Sequence, residues 1–428
     1  MSDGDIVLQG GRVVTVETIR EQDILIRDGR IEAVGERLAG QALDAAVVDV
    51  RGLTILPGLV DVHVHLREPG GEHKENFHSG TSAALAGGVT TVCAMPNTSP
   101  PVTGAAAFYD ALARAERSAV CDFGLYVGAT PDNAAEVAQI REAVALKMYI
   151  GSSTGSLLVD QFPAQITHFE RYPADRIIAV HAEEESAVQH YAAHGVHRPP
   201  ICAALSVARV IALAEQVSRR LHICHVSTGY EVTQIRAAKG RGAAITCEVT
   251  PHHLFLSTED EGRLGALARV NPPLRAPADV AALWEGLDVF DMMATDHAPH
   301  TLEEKASASP PSGMPGLESF LPLLLTAAHE GRLRLPEIVR WTAAGPAEVF
   351  GFAAKGHIAP GYDADLALVD LAESWVMGNE GLYTRCGWTP FAGRTMQGRV
   401  RGVYLRGQLV FKDGQVLAAP GTGRRAIN

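Results

Sequence analysis

Eight short runs rich in apolar and β-branched residues recur between residues 59 and 296, and each is followed by a helix-like or mixed stretch. They are LVDVHVHL (59–66), VTTVCAMP (89–96), DFGLYVGA (122–129), ALKMYIG (145–151), RIIAVHAE (176–183), LHICHVST (221–228), AAITCEVT (243–250) and VFDMMATD (289–296). Near-continuous apolar strands of this length suit a parallel sheet that is covered on both faces. Segments between them, such as GAAAFYDALARAERS and ALSVARVIALAEQVS, have helical spacing. Eight β-then-α units predict a TIM-like (β/α)8 barrel. An open doubly wound sheet would want a Gly-rich phosphate turn after its first strand. Here that strand ends in His63-Val64-His65-Leu66-Arg67.

Both ends of the chain are β-rich instead. IVLQGGRVVTV and DILIRDGRIEAVG near the start, and DADLALVDL and RVRGVYLRGQLVF near the end, alternate Val and Ile around Gly turns, which signals hairpins. The expected organisation is a small composite β-domain of residues 1–54 and 355–428, with the catalytic barrel, residues 55–354, inserted between them. The Pro/Ser-rich stretch 306–316 reads as a loop between the eighth strand and its helix. The chain has 428 residues and a net charge of −12, which argues against a nucleic-acid or anionic-membrane partner. No apolar run approaches the ~20 residues of a membrane span. The opening MSDGDIVLQGG lacks the basic-then-apolar layout of a secretory leader. Six scattered cysteines without a C-x-x-C pair do not make a disulfide framework. A soluble, reduced, cytoplasmic protein is expected.

The histidines are more informative than the charge. Strand period two places His63 and His65 on the same side, roughly 7 Å apart, so both imidazoles can converge on one metal ion. Arg67 continues that phase. Lys147 lies on the fourth strand, His181 ends the fifth, His225 the sixth and Asp296 the eighth. The C-terminal ends of barrel strands are where barrel active sites form. Lys147 is the misfit, because an ammonium repels a cation. It becomes a ligand only as a CO2-derived carbamate, whose two oxygens can bridge two metals. Two ions about 3.5–4 Å apart can hold a bridging hydroxide and polarise an amide carbonyl for hydrolysis. N and O donors suit Zn²⁺ best. Asp296 would bind one metal, accept the hydroxide's proton and hand it to the leaving nitrogen. Arg67 offers a fork for a substrate carboxylate, with Asn97 and His300 as further donors. His222, on the opposite phase, reads as packed, and His252 and His253 as supporting or structural. His297 is unassigned. His73, His78, His168, His190, His194, His197, His329 and His357 lie in helices or loops and are expected at solvent.

These residues sit within motifs that resemble the dihydroorotase family of the amidohydrolase superfamily. LPGLVDVHVHLREPGGEHKENFHSGTSAALAGGVTTVCAMPNTSPP, VTPHHLFL, RVNPPLR, ATDHAPHTLEEK, GMPGLESFLPLLLT, GYDADLALVD and WTPFAGRTMQGRV carry the likeness over nearly the whole chain. It implies the reversible ring closure of N-carbamoyl-L-aspartate to L-dihydroorotate in pyrimidine synthesis. It implies two Zn²⁺ held by His63, His65, N-carboxylated Lys147, His181, His225 and Asp296, with Asp296 catalytic. It also implies carboxylate binding by Arg67, Asn97 and His300, and main-chain ring contacts near Asn271 and Ser312-Gly313. LKMYIGSSTGSLLV resembles the lysine-bearing subgroup, which includes the animal multifunctional enzyme's domain, whereas some bacterial relatives have Asp in place of Lys147. The loop at 151–155 lacks that domain's Thr-Phe pair, and Ser312 stands where an apolar residue or Pro is usual. A homodimer and docking to an aspartate transcarbamoylase belong to the same likeness. One alternative is a sister cyclic amidohydrolase, an allantoinase or a hydantoinase/dihydropyrimidinase. The uncharged rings of hydantoins and dihydropyrimidines would leave Arg67 and Asn97 idle. Another is a non-catalytic scaffold, but such chains typically lose ligands and all six positions are kept here.

Overall fold

In the computed structural model, residues 5–426 are described. The outermost positions of the composite β-domain and the first residues of the opening segment, 1–4 and 427–428, lie outside that range. All eight expected barrel strands form. Leu59–Val64, Val89–Ala94 and Asp122–Leu125 pair in parallel and in chain order. The third strand continues past Tyr126 as Val127–Gly128. It pairs with Leu146–Tyr149, followed by Ile178–His181, Leu221–Ile223, Ile245–Val249 and Met292–Met293. A parallel bridge between Val64 and His297 brings the eighth strand's exit to the first strand, with His65 N–H donating to His297 O at 2.7 Å. The strands thus run in chain order around a (β/α)8 barrel.

Local chemistry sets where the helices start. Asn76 and Thr228 each close a capping box at the head of Phe77–Ala86 and Gly229–Gly240. The outward strand residues Val92, Phe123, Leu146, Ile178 and Ile223 pack with Leu85, Phe108, Phe169, Val207 and Ile235 of the helices in one buried cluster. A smaller cluster joins Val62, Cys93, Tyr126, Ala179 and Met292 to Phe350 and Phe352 of the last helix and its exit. All six cysteines are buried and free.

The chain ends share one nine-stranded sheet. Its order is Gln415–Val416, Gln408–Lys412, Thr395–Leu405, Leu366–Val376, Thr54–Pro57, Ile6–Val14, Ile19–Arg27, Arg30–Gly35, with Ala46–Asp49 alongside Ile6–Val14. Buried Lys355 ties this sheet to the barrel through Asp122 at 2.6 Å, Asp365 at 2.6 Å and Asp363 at 3.0 Å. Among the described residues no helix is long and apolar enough to cross a membrane. One expectation is corrected: His168 is buried rather than solvated, with its Nε2 2.8 Å from Thr130 O. A helical histidine three residues from a helix end looks exposed until the neighbouring loop folds over it.

Candidate metal centre and active site

The ends of the barrel strands bring the expected residues together. His63 Nε2 and His65 Nε2 lie 3.3 and 3.0 Å from Asp296 Oδ1, and the three ligand atoms fall within 4.8 Å of one another. The other ring nitrogens are engaged: His63 Nδ1 meets Glu248 Oε1 at 2.5 Å, and His65 Nδ1 meets Asn97 Oδ1 at 2.6 Å. These partners orient both rings with Nε2 toward Asp296, the outer hydrogen bonding that metal-binding histidines ordinarily have. Across the site His181 Nδ1 and His225 Nε2 approach to 3.0 Å, and the His63 and His225 ring centroids are 5.3 Å apart. Burial pushes the His65 ring down to about 4, lowers His181 and holds His225 well below its ordinary value. Neutral imidazoles with free lone pairs are the form that binds a metal. His63 is the exception: burial and Lys147 lower its ring, but the Glu248 and Asp296 carboxylates outweigh them and push it up to about 10. Burial opposes ionisation of Asp296, but the charge of His63 and the hydrogen bond from His65 hold its carboxyl well below the usual range.

Lys147 is fully buried. Its Nζ donates to Cys224 Sγ at 3.0 Å and lies 5.1 Å from the Tyr149 ring centroid. Among the described residues no carboxylate pairs with it, and an unpaired ammonium in such a site is costly. Backbone strain marks the same place. Arg67, His225 and Asp296 all have positive φ, at 60°, 37° and 48°, a conformation L side chains adopt at a cost of ~1–3 kcal/mol.

A corner around the Arg67 guanidinium adjoins this cluster. Arg67, 6% exposed, donates through Nε to Pro299 O at 3.2 Å and places Nη2 3.1 Å from His300 Nε2. Burial lowers Arg67 to about 10, so it stays cationic at neutral pH. Burial together with the Arg67 and Lys74 cations keeps the His300 ring neutral. Asn97 Nδ2 donates to Thr154 O at 2.9 Å, and Thr154 Oγ1 donates to Ser312 O at 2.8 Å, so the loop after Lys147 spans the mouth from Asn97 to Ser312. Gly313 has φ 141°, and a Cβ there would come within 2.5 Å of Ala298 O. Its N–H donates to Arg269 O at 2.9 Å. Asn271 Oδ1 is buried, with no hydrogen-bond partner among the described residues.

Several supporting residues escaped the sequence reading. Glu248 joins His63 to His222, whose Nε2 is 3.0 Å from Glu248 Oε2, so His222 is packed as expected and also bonded. His63, Cys224 and Glu248 form a second group of donor atoms within 4.8 Å. Asp61 accepts from His63 N and from Thr295 N and Oγ1, locking the first strand to the eighth, and burial pushes its carboxyl up to about 7. Asp61 was detectable, since it shares the phase of His63, His65 and Arg67. His297 is structural, bonded to Glu75 at 3.2 Å and accepting from Gly316 N at 3.1 Å. His253 bonds Thr250 Oγ1 and Pro272 O, whereas buried His252 leaves Nε2 without a partner. The C-terminal segment reaches the site too, with Trp388 Nε1 donating to His300 O at 2.7 Å.

Comparison with known proteins agrees with this architecture. Residues 54–410 match the Amidohydrolase family. The chain is 46% identical over 86% of its length to the multifunctional protein CAD of Squalus acanthias, of which it spans 15%. It is 40% identical to a dihydroorotase of Halobacterium salinarum, covering 97% of each chain. It also superposes on the L-hydantoinase (dihydropyrimidinase) of Arthrobacter aurescens with a TM-score of 0.94 at 29% identity, covering 99% of this chain and 100% of that one. With the barrel, the strand-end histidines and Asp296 in place, the chain belongs to the amidohydrolase family and, within it, to the dihydroorotase group.

Proposed function

We propose that this protein is a metal-dependent dihydroorotase that interconverts N-carbamoyl-L-aspartate and L-dihydroorotate. The observation that carries this choice over a hydantoinase or allantoinase is the corner between Arg67 and His300. Two groups able to donate, Arg67 Nη2 and His300 Nε2, stand 3.1 Å apart beside the cluster of His63, His65 and Asp296. A carboxylate oxygen can accept from both. The Asn97 amide has two N–H groups and uses one on Thr154 O, leaving the other for the same anion. Hydantoin and dihydropyrimidine rings have no carboxylate to place there.

His63, His65 and Asp296 would hold one Zn²⁺, His181 and His225 a second, and Lys147 as a carbamate would bridge them. That no carboxylate among the described residues pairs with buried Lys147, and the 3.0 Å approach of His181 Nδ1 to His225 Nε2, support that donor set. When bound, the metal pair supplies an activated water and polarisation of the ring amide. The chain's own residues do the rest. Arg67, His300 and Asn97 anchor the carboxylate and so fix which ring carbonyl faces Asp296. Asp296 takes the proton of the attacking water and returns it to the ring nitrogen as the C–N bond breaks. Ring closure runs the same steps backward. The mouth-spanning Thr154 contacts help to exclude bulk water.

The deciding experiment is hydrolysis of L-dihydroorotate by purified protein, beside allantoin and dihydrouracil, with metal content measured on the same sample. Turnover of dihydroorotate alone, with about two zinc ions per chain, is expected. Turnover of an uncharged ring instead would move the protein to a sister group. The same proposal places the enzyme in the cytoplasm as a homodimer able to dock an aspartate transcarbamoylase, which solution mass measurements with and without that partner would test.

A further inference from the structure

His300 is flanked by groups that cannot all be satisfied at once. Its Nδ1 lies 3.2 Å from Lys74 Nζ and 3.4 Å from Glu304 Oε2. Its Nε2 lies 3.2 Å from Ser312 O and 3.1 Å from Arg67 Nη2. Lys74 and Arg67 can only donate, and the Ser312 carbonyl and the Glu304 carboxylate can only accept. A neutral ring therefore has two self-consistent arrangements. With the proton on Nε2, His300 donates to Ser312 O and accepts from Lys74, and Arg67 faces an N–H. With the proton on Nδ1, His300 donates to Glu304 and accepts from Arg67, and it faces Lys74 and Ser312 with the wrong polarity.

We infer that Lys74 is a positioning residue that selects the Nε2–H tautomer of His300 and so keeps a hydrogen-bond donor aimed at the substrate carboxylate. Lys74 is well placed for this. It is mostly buried, with 15% of its side chain exposed, and its Nζ also donates to Glu304 Oε1 at 2.8 Å. The Glu304 carboxylate is shared between Lys74 and Thr301, whose N–H donates to Oε2 at 3.0 Å, and it lies farther from His300 Nδ1 than Lys74 Nζ does, 3.4 against 3.2 Å. Trp388 Nε1, donating to His300 O at 2.7 Å, anchors the backbone of His300. In the Nε2–H state, the N–H that His300 gives to Ser312 O at 3.2 Å stands beside Arg67 Nη2 at 3.1 Å, so Arg67 faces a donor, and an incoming carboxylate oxygen can accept from Arg67 while sharing the His300 N–H with Ser312 O. That oxygen relieves the donor-against-donor contact of Arg67 Nη2 with His300. In the Nδ1–H state His300 is already satisfied by Arg67 and presents the anion with a lone pair.

The inference rests on the dihydroorotase proposal for its substrate, and the test separates the two. In the zinc-loaded full chain labelled with ¹⁵N-histidine, the ring nitrogen shifts of His300, assigned by the signal lost in His300→Gln, should report Nε2–H in the wild type without any substrate. Lys74→Met should invert them to Nδ1–H and raise KM for dihydroorotate on the order of tenfold, the loss of one charge-assisted hydrogen bond, with kcat little changed. Lys74→Gln, an uncharged donor, should keep Nε2–H and most of the wild-type KM. A wild-type ring found as Nδ1–H, or an Nε2–H ring that persists in Lys74→Met, overturns the inference. An equal rise of KM in Lys74→Gln and Lys74→Met, with the tautomer intact in the former, also overturns it, since Lys74 would then act through charge alone. No turnover of dihydroorotate by a protein whose His300 follows this pattern would count against the substrate proposal and not against the tautomer.

Discussion

Arg67→Met is the perturbation that separates a carboxylate clamp from a structural arginine. Methionine is close in length, so the stem's packing is largely retained. What is lost is one buried cation and its free Nη2. A hydrogen bond to a charged group contributes about 1.5–3 kcal/mol, and each 1.4 kcal/mol is tenfold in affinity. The upper half of that range applies here. Arg67 is 6% exposed, so water has little access to replace the lost donor. Its Nε contact to Pro299 O shows the guanidinium is held rather than free. The expected loss is therefore about 100-fold in binding. The carboxylate is not the reacting group and is bound alike in ground and transition states, so the loss should fall on KM and leave kcat within about threefold. Steady-state hydrolysis of L-dihydroorotate, with thermal midpoint and zinc content measured on the same variant, checks each part. A KM within about threefold of wild type, or a fall in kcat alone with KM unmoved, would refute the clamp. Loss of zinc or a collapsed Tm would assign Arg67 to the fold.

Asp296→Asn should lower kcat by about a thousandfold or more, as removal of a proton-transferring group does, while the protein remains folded; near-wild-type turnover would remove its proton role. Lys147→Ala should lose most of the metal at one of the two sites and nearly all activity; normal metal content and turnover would sink the bridging carbamate. Lys305 is buried, bonded to Arg269 O at 2.8 Å and Pro311 O at 3.0 Å, and burial pushes it down to about 7. The unfolded chain keeps that proton up to about 10.4, so the Lys305 contribution to stability is full above that pH and is lost as pH falls through about 7. Wild type should therefore gain stability relative to Lys305→Met between pH 7 and 10; a pH-independent difference in denaturation midpoint would contradict this.

The barrel was legible in the chain because both of its signals are local. Eight apolar runs set the strands, and period two alone put His63, His65 and Arg67 on one phase, with Asp61 beside them unread. His181, His225 and Asp296 could be placed by position alone, since a strand's last residues lie at the barrel mouth wherever the strand stands in the ring; Lys147, second in Leu146–Tyr149, could be assigned only to its strand. What ties these side chains down was not legible. Glu248 reaches His63 across 185 residues, Lys74 reaches His300 across 226, and Trp388 reaches His300 across 88. No periodicity encodes such pairs. They exist only after the barrel closes through Val64 and His297 and the connection between Leu366–Val376 and Thr395–Leu405 lays Trp388 against His300. Local pattern thus determined which atoms could meet a metal. The tertiary structure decided which ring nitrogen faces the site, because ring orientation is set by hydrogen-bond partners that arrive from elsewhere in the chain.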